Sequence, residues 1–313
     1  MSAGYPFWSE TELDQLSADA RARFVERYRS EIRAAFVVVE EECAAEVRVL
    51  FAATENLRTL GEDPDLFAAN RDLLKPARYV TSPVISDDTL KIIGEAEGPA
   101  ATIRDFLDWD RFPWLAEDRI PSADDPDVAQ AVKVTAKLMA EQRLGTKLRS
   151  TLSAAQERSV RETLAAAGLD YVDPSVIRER LRELGDNPSV GLTPRNYQEA
   201  LRRGEFTREI RVAGAKCDVP GRLATGDLLP IECKVSNTAV NSVKRLNRET
   251  GGKHERWRGA FGTDLHTAAV LGGVFNLVNL KGAQDDGMLV FFDHDLEAIE
   301  RFIQAGGRPR PRT

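Results

Sequence analysis

Apolar and polar residues alternate through Ile231, Glu232, Cys233, Lys234, Val235 and Ser236. A strand sends successive side chains to opposite faces. The segment therefore predicts a strand with Ile231, Cys233 and Val235 on an apolar face, and a carboxylate and an ammonium side by side on the other. Upstream, VAGAKCDVPG reads as a second β-like run ended by Pro220 and Gly221, and ATGDLLP reads as the turn between the two. Such a hairpin brings Asp218 next to Glu232.

Elsewhere the period is helical. Ser9 and Glu12 form a capping box, and Leu13, Leu16, Ala20, Phe24, Tyr28, Ile32 and Phe36 follow at helical spacing, predicting one long helix or two from about Glu10 to Ala53. From Glu55 to Ala100 short helices and loops are punctuated by Pro64, Pro76 and Pro83. Lys75, Arg78, Tyr79, Thr81 and Ser82 there are residue types that touch DNA, but an ordinary inter-helix loop accounts for them. Trp109 and Trp114, set among Asp105, Asp108 and Asp110, read as packing between helices. Helices are expected from Val128 to Arg149 and from Ser153 to Ala167, with Gly168 as a stop. The strand EFTREIRVA and the hairpin follow, then a basic helical stretch, NSVKRLNRETGGKHERW, expected to break at Gly251 and Gly252. HTAAVLGGVFNLVNL and GMLVFFDH are apolar enough for buried central strands, and DLEAIERFIQA closes as a helix. This order predicts an α/β fold: a mixed central sheet flanked by helices, behind a largely helical N-terminal region. Residues 1–152 form that region, and residues 153–313 the domain that carries the hairpin.

Composition narrows the classes. A chain of 313 residues is ample for one large or two moderate domains. No apolar run approaches the ~20 residues needed to cross a bilayer, and the N-terminus lacks the basic start and apolar core of a secretory signal, so a cytoplasmic location is expected. Cys43, Cys217 and Cys233 are too few and too scattered for a disulfide framework. The two beside the hairpin acids read as small buried hydrophobes. His254, His266 and His294 have no ligand spacing to one another, and no phosphate-binding glycine loop or nucleophile elbow is present. The net charge is −7, yet residues 191–260 hold 14 Lys and Arg against 8 Asp and Glu. A basic segment within an acidic chain suits a protein that grips phosphates locally; a solvated helix face looks the same.

Two carboxylates and a lysine on adjacent strands have a definite use. Hard cations such as Mg²⁺ take one or two carboxylates, together with substrate phosphate and water. A lysine beside them orients or helps deprotonate the water, or stabilises an anionic transition state.

Asp218, Glu232-x-Lys234 and the polar, basic SNTAVNSVKRLNRE that follows resemble the PD-(D/E)XK nuclease superfamily. Within it, ECKVSNTAVNSVKRL together with FAATENLRTL and LLKPARYVTSPVISDDTLKIIGE is similar to type II restriction endonucleases of the XamI family. The resemblance implies a restriction-endonuclease-like core, with Asp218 and Glu232 as Mg²⁺ ligands and Lys234 as the catalytic lysine. It implies Mg²⁺-dependent, sequence-specific cleavage of double-stranded DNA leaving 5′-phosphates, no membrane partner, a homodimer matched to a palindrome, and a cognate methyltransferase protecting host DNA. The helical region then serves as DNA clamp or dimer surface. Ser236, Asn237, Asn241, Lys244, Arg245 and Arg248 become candidates for DNA contact, with helix capping as the plainer role for the two asparagines. In this chain Cys217 precedes Asp218 and Pro220 follows it, which leaves Asp227 as a rival. Glu199, Glu205 and Glu209 compete as the acid that many superfamily members draw from a preceding helix. A structure- or damage-specific PD-(D/E)XK nuclease, or a noncatalytic DNA-binding protein on the same core, would share these features.

Overall fold

The computed structural model describes residues 8–95, 97–122, 124–238 and 242–307, without the side chains of Leu148 and Arg149. The chain forms two compact units. One contains residues 29–148; the other joins residues 1–28 to residues 149–313. The division thus differs from a simple cut after residue 152. The first helix is assigned with the C-terminal part of the chain, because Leu13 and Ala20 are buried in the core of the sheet.

In the sheet-containing unit, α1 (Glu10–Arg27) starts at the expected box, in which Ser9 and Glu12 satisfy each other's backbone donors. Eight strands follow: β1 (Asp170–Tyr171), β2 (Glu205–Phe206), β3 (Ile210–Val212), β4 (Ala215–Cys217), β5 (Val219–Arg222), β6 (Leu228–Ser236), β7 (Ala268–Gly273) and β8 (Leu289–Phe292). Six of them make a sheet in the order β1-β2-β5-β6-β7-β8, while β3 and β4 pair separately. β6 runs antiparallel to β5 and parallel to β7, and β7 runs parallel to β8, so the sheet is mixed. The fold class is that read from the sequence: a mixed central sheet flanked by helices, with a helical N-terminal region.

Alternation along β6 sorts its side chains. Leu229, Ile231 and Cys233 enter one core with Val219, Val270, Val290 and Phe302. Leu228 enters a second core with Ile177, Tyr197, Trp257 and Phe261. Glu232 and Lys234 share the parity of Leu228 and so lie on that second face. β7 ends at Gly273 (φ +92°), where a side chain would collide with the Ser236 carbonyl.

Three local expectations change. FNLVNL is not strand: Asn276 caps a helix, Leu277–Asp285, by accepting from the Val278 backbone N–H, and Val278 faces solvent. The break at Gly251 and Gly252 does not occur. A π-helical stretch, Lys244–Thr250, runs directly into α-helix Gly251–Phe261, because burial of Leu246, Thr250, His254, Trp257 and Phe261 outweighs a glycine cost of about 1 kcal/mol each. The two helices expected between Val128 and Ala167 are one helix, Pro126–Ala166.

The helical unit is built around α2 (Arg33–Ala53), which follows a π-turn at Tyr28–Ile32. Cys43, Val47, Leu50 and Phe51 from α2 pack with Ile103, Phe112, Trp114 and Met139. Trp114 is fully buried and donates to the Asn56 carbonyl at 2.8 Å, whereas Trp109 is about half exposed and does not pack as expected. Among the described residues no helix is long and apolar enough to cross a membrane.

Candidate active site

The β5–β6 register pairs Val219 with Ile231, which sets the preceding residue, Asp218, opposite Glu232. Asp218 occupies the bend between β4 and β5, where the chain passes from the small sheet into the large one. Its Oδ2 accepts the Cys233 backbone N–H at 2.8 Å and the Lys234 ammonium at 3.0 Å. Lys234 also reaches Glu232 Oε2 at 2.7 Å. Two carboxylates and one ammonium therefore converge within hydrogen-bond distance on adjacent strands, as the alternation pattern predicts. Asp227, the rival, lies in the turn, where it takes a bond from Thr225 and faces His266 at 3.5 Å.

A second lysine joins them. Lys253 Nζ lies 2.7 Å from the same Glu232 Oε2. It sits four residues before Trp257 and so shares a helix face with it. Trp257 is fully buried, and its indole N–H donates to the Val212 carbonyl at 2.7 Å. Truncating such a tryptophan typically costs about 3–5 kcal/mol; the same packing delivers Lys253 to the site.

Glu199, Glu205 and Glu209 are the rivals for a further acid. Glu199 is exposed, Glu205 is held by Arg180 at 2.6 Å, and Glu209 pairs with Lys216 at 2.9 Å. Glu157 is the acid that feels the site. It lies on helix Pro126–Ala166, with Val160 and Leu164 buried three and seven residues further along the same face. Burial raises its pKa, and the charge of Asp218 raises it further. The helical spacing of Glu157, Val160 and Leu164 was the available signal, but the surrounding Glu and Arg residues give the same pattern on a solvated face.

Burial shapes the electrostatics. Glu232 is completely buried and its pKa is raised by desolvation, against the pull of Lys234 and Lys253. Burial also works against the charge on Lys234, but Asp218 and Glu232 more than offset it, so its pKa stands above that of an ordinary lysine. As placed, Lys234 is a protonated donor at neutral pH, suited to orienting a water or stabilising an anion rather than taking a proton. Glu232 Oε1 is buried and has no hydrogen-bond partner among the described residues. An unpaired carboxylate oxygen of this kind is costly unless a cation or donor meets it.

The six candidates for DNA contact separate. Ser236 is buried and donates to the Thr238 carbonyl at 2.9 Å, and Arg245 donates to the Val235 carbonyl. Both are thus engaged within the fold. Asn237, Lys244 and Arg248 are exposed, and Asn241 lies outside the described residues. Elsewhere, His254 shares a bond with the Asp286 carbonyl at 3.0 Å, and burial lowers its pKa.

Comparison with known proteins gives two findings. The family model described as XamI restriction endonuclease matches residues 56–292. A protein from Xanthomonas campestris pv. amaranthicola, named type II restriction enzyme XamI, is 26% identical over 280 residues, covering 84% of this chain and 95% of that protein. The matched span includes Glu157, Asp218, Glu232, Lys234 and Lys253.

Proposed function

Because the chain belongs to the XamI restriction endonuclease family, we propose that it is a Mg²⁺-dependent type II site-specific deoxyribonuclease with a PD-(D/E)XK-type site. The observation that carries this reading is the convergence of Asp218, Glu232 and Lys234 on adjacent strands, with Lys234 within 3.0 Å of one carboxylate and 2.7 Å of the other.

The residues suit a hard cation. Among the described residues no three His, Cys, Asp or Glu side chains form a ready metal cluster. Mg²⁺, however, is commonly held by one or two carboxylates, the remaining positions going to phosphate and water. Asp218 and Glu232 would hold it, with the unpaired Glu232 Oε1 as a natural ligand. A bound Mg²⁺ would supply Lewis acidity toward water and the scissile phosphate.

The side chains have distinct tasks. Lys234 orients the attacking water and shares the negative charge that develops on the phosphate. Lys253 fixes the Glu232 carboxylate. Water attacks phosphorus in line and loses a proton to solvent, the P–O3′ bond breaks with the O3′ oxygen taking a proton to leave as a hydroxyl, and the product keeps a 5′-phosphate. Exposed Lys244 and Arg248, with Asn237, contact the duplex beside the site. Cleavage of both strands of a palindrome calls for a homodimer. A restriction activity in the cytoplasm also calls for a cognate methyltransferase to protect host DNA.

Digestion of a long, sequenced duplex with and without Mg²⁺ tests the proposal, using Asp218→Asn, Glu232→Gln and Lys234→Ala beside the wild type. Discrete fragments that vanish without the metal and in each variant are expected. A smear would indicate a nonspecific nuclease, and undiminished cutting by Glu232→Gln would remove this site from the chemistry.

A further inference from the structure

We propose that the helical unit carries an anion site of its own, a donor-lined cavity that takes a backbone phosphodiester of the DNA duplex; the choice of DNA rests on the nuclease reading. The cavity has a volume of about 600 Å³ and lies between the short helix Arg71–Ala77, the turn Arg78–Val80 and the Met139–Lys147 stretch of helix Pro126–Ala166. Five cations line it, Arg71, Lys75, Arg78, Arg143 and Lys147, against one acid, Asp87.

The pairing within this lining leaves charge over. Asp87 is taken by Arg78. Arg143 grips Glu46 with both terminal nitrogens, at 2.8 and 2.6 Å. Its remaining donor, Nε, is buried and has no acceptor among the described residues. Arg71, Lys75 and Lys147 form no ion pair among the described residues. The Tyr79 hydroxyl donates to Gln142 Oε1 at 2.7 Å, which turns the amide nitrogen of Gln142 into another available donor.

A wall of N–H donors with its acceptors already used selects a ligand that is anionic and rich in acceptors. Three unpaired cations spread around one cavity match the several oxygens of a phosphate better than a single carboxylate. The volume falls within the roughly 300–1,000 Å³ range of small-ligand sites, so sugar adjoining the phosphate is accommodated as well. The helical unit thus grips the duplex by charge, independently of sequence.

Binding of a labelled duplex without Mg²⁺, across about 50–200 mM salt, tests this in the wild type and in the combined Arg71→Ala, Lys75→Ala, Lys147→Ala variant. Each lost phosphate contact lowers the salt slope by ~0.9, so a drop of roughly 1–3 and a 10- to 100-fold weaker affinity at about 100 mM are expected. The Mg²⁺-induced thermal shift should survive, and Arg71→Lys, Lys75→Arg, Lys147→Arg should retain the slope. An unchanged slope, with the wild type still cutting DNA, overturns the cavity assignment and leaves the nuclease reading intact. If inorganic phosphate stabilises the wild type but not the alanine variant while duplex binding is equal in both, the cavity serves a free anion and the DNA assignment fails. If the wild type neither binds nor cuts duplex, both readings fall together.

Discussion

Replacing Lys253 by methionine keeps the aliphatic stem but removes the ammonium 2.7 Å from Glu232 Oε2. Breaking a fully buried ion pair from one side commonly costs about 3–5 kcal/mol. Here Lys234 remains on the same oxygen at 2.7 Å, and the Lys253 side chain is 24% exposed. The loss is therefore put at about 1–2 kcal/mol, closer to the cost of one charge-assisted hydrogen bond. At roughly 2–4 °C per kcal/mol, Tm should fall by about 2–8 °C. The pH dependence is the sharper test. Burial holds the folded-state pKa of Glu232 above its unfolded value, so between the two the folded chain binds more protons and stability falls as pH rises. Removing Lys253 takes away one of the influences that lowers this pKa and extends the window upward. Thermal unfolding of wild type and Lys253→Met should therefore show a deficit that widens as pH rises through this window, with Lys253→Arg close to wild type. Cleavage should slow by roughly 10- to 100-fold, as is usual when the support of a ligand is lost. A deficit equal at every pH would refute the argument, because a purely steric defect does not titrate.

Glu157→Gln should stabilise the protein by on the order of 0.5–2 kcal/mol at neutral pH, as relief of a functional-site charge often does, while reducing cleavage. Its raised pKa means that this gain shrinks as pH falls toward the ordinary carboxylate range; scanning at neutral and mildly acidic pH alongside a plasmid assay checks both, and no gain at neutral pH would count against the burial argument. Cys43, Cys217 and Cys233 are all buried, and burial pushes the last two thiols far up. A thiol reagent should therefore label none of the three until denaturant is added, and prompt labelling of Cys217 or Cys233 in the native protein would show that the strands open.

Asp218, Glu232 and Lys234 could be brought together from the sequence because everything that places them is local. A period of two sorts β6, one turn closes the hairpin, and register then sets Asp218 opposite Glu232. Glu157 and Lys253 could not be found that way. Lys253 meets Glu232, and Glu157 comes under the charge of Asp218, through helices whose docking depends on distant partners: Trp257 and its bond to Val212 for the first, Val160 and Leu164 for the second. Lys253 was further hidden by two glycines that promise a break and instead continue a helix. The α/β class followed from the order of apolar runs. The helix Leu277–Asp285 was misread because its apolar run outweighed the capping asparagine before it. The assignment of α1 to the sheet leaves no mark in α1 itself, since its burial is decided by strands more than two hundred residues away.

That separation gives the first helix an unusual wait during synthesis. Trp8 donates to the Val290 carbonyl and Ser17 to the Phe275 carbonyl, so α1 cannot seat itself until nearly the whole chain has left the ribosome. At ~5–20 residues per second, the intervening chain of about 260 residues takes on the order of 10–50 s to emerge. The helical unit, encoded entirely in between, can complete its own core first. α1 suits the delay, burying only Leu13 and Ala20 deeply and presenting mostly charged and polar residues elsewhere. Its late arrival also means that the sheet carrying β6, with Glu232 and Lys234, gains this covering helix only after β7 and β8 exist.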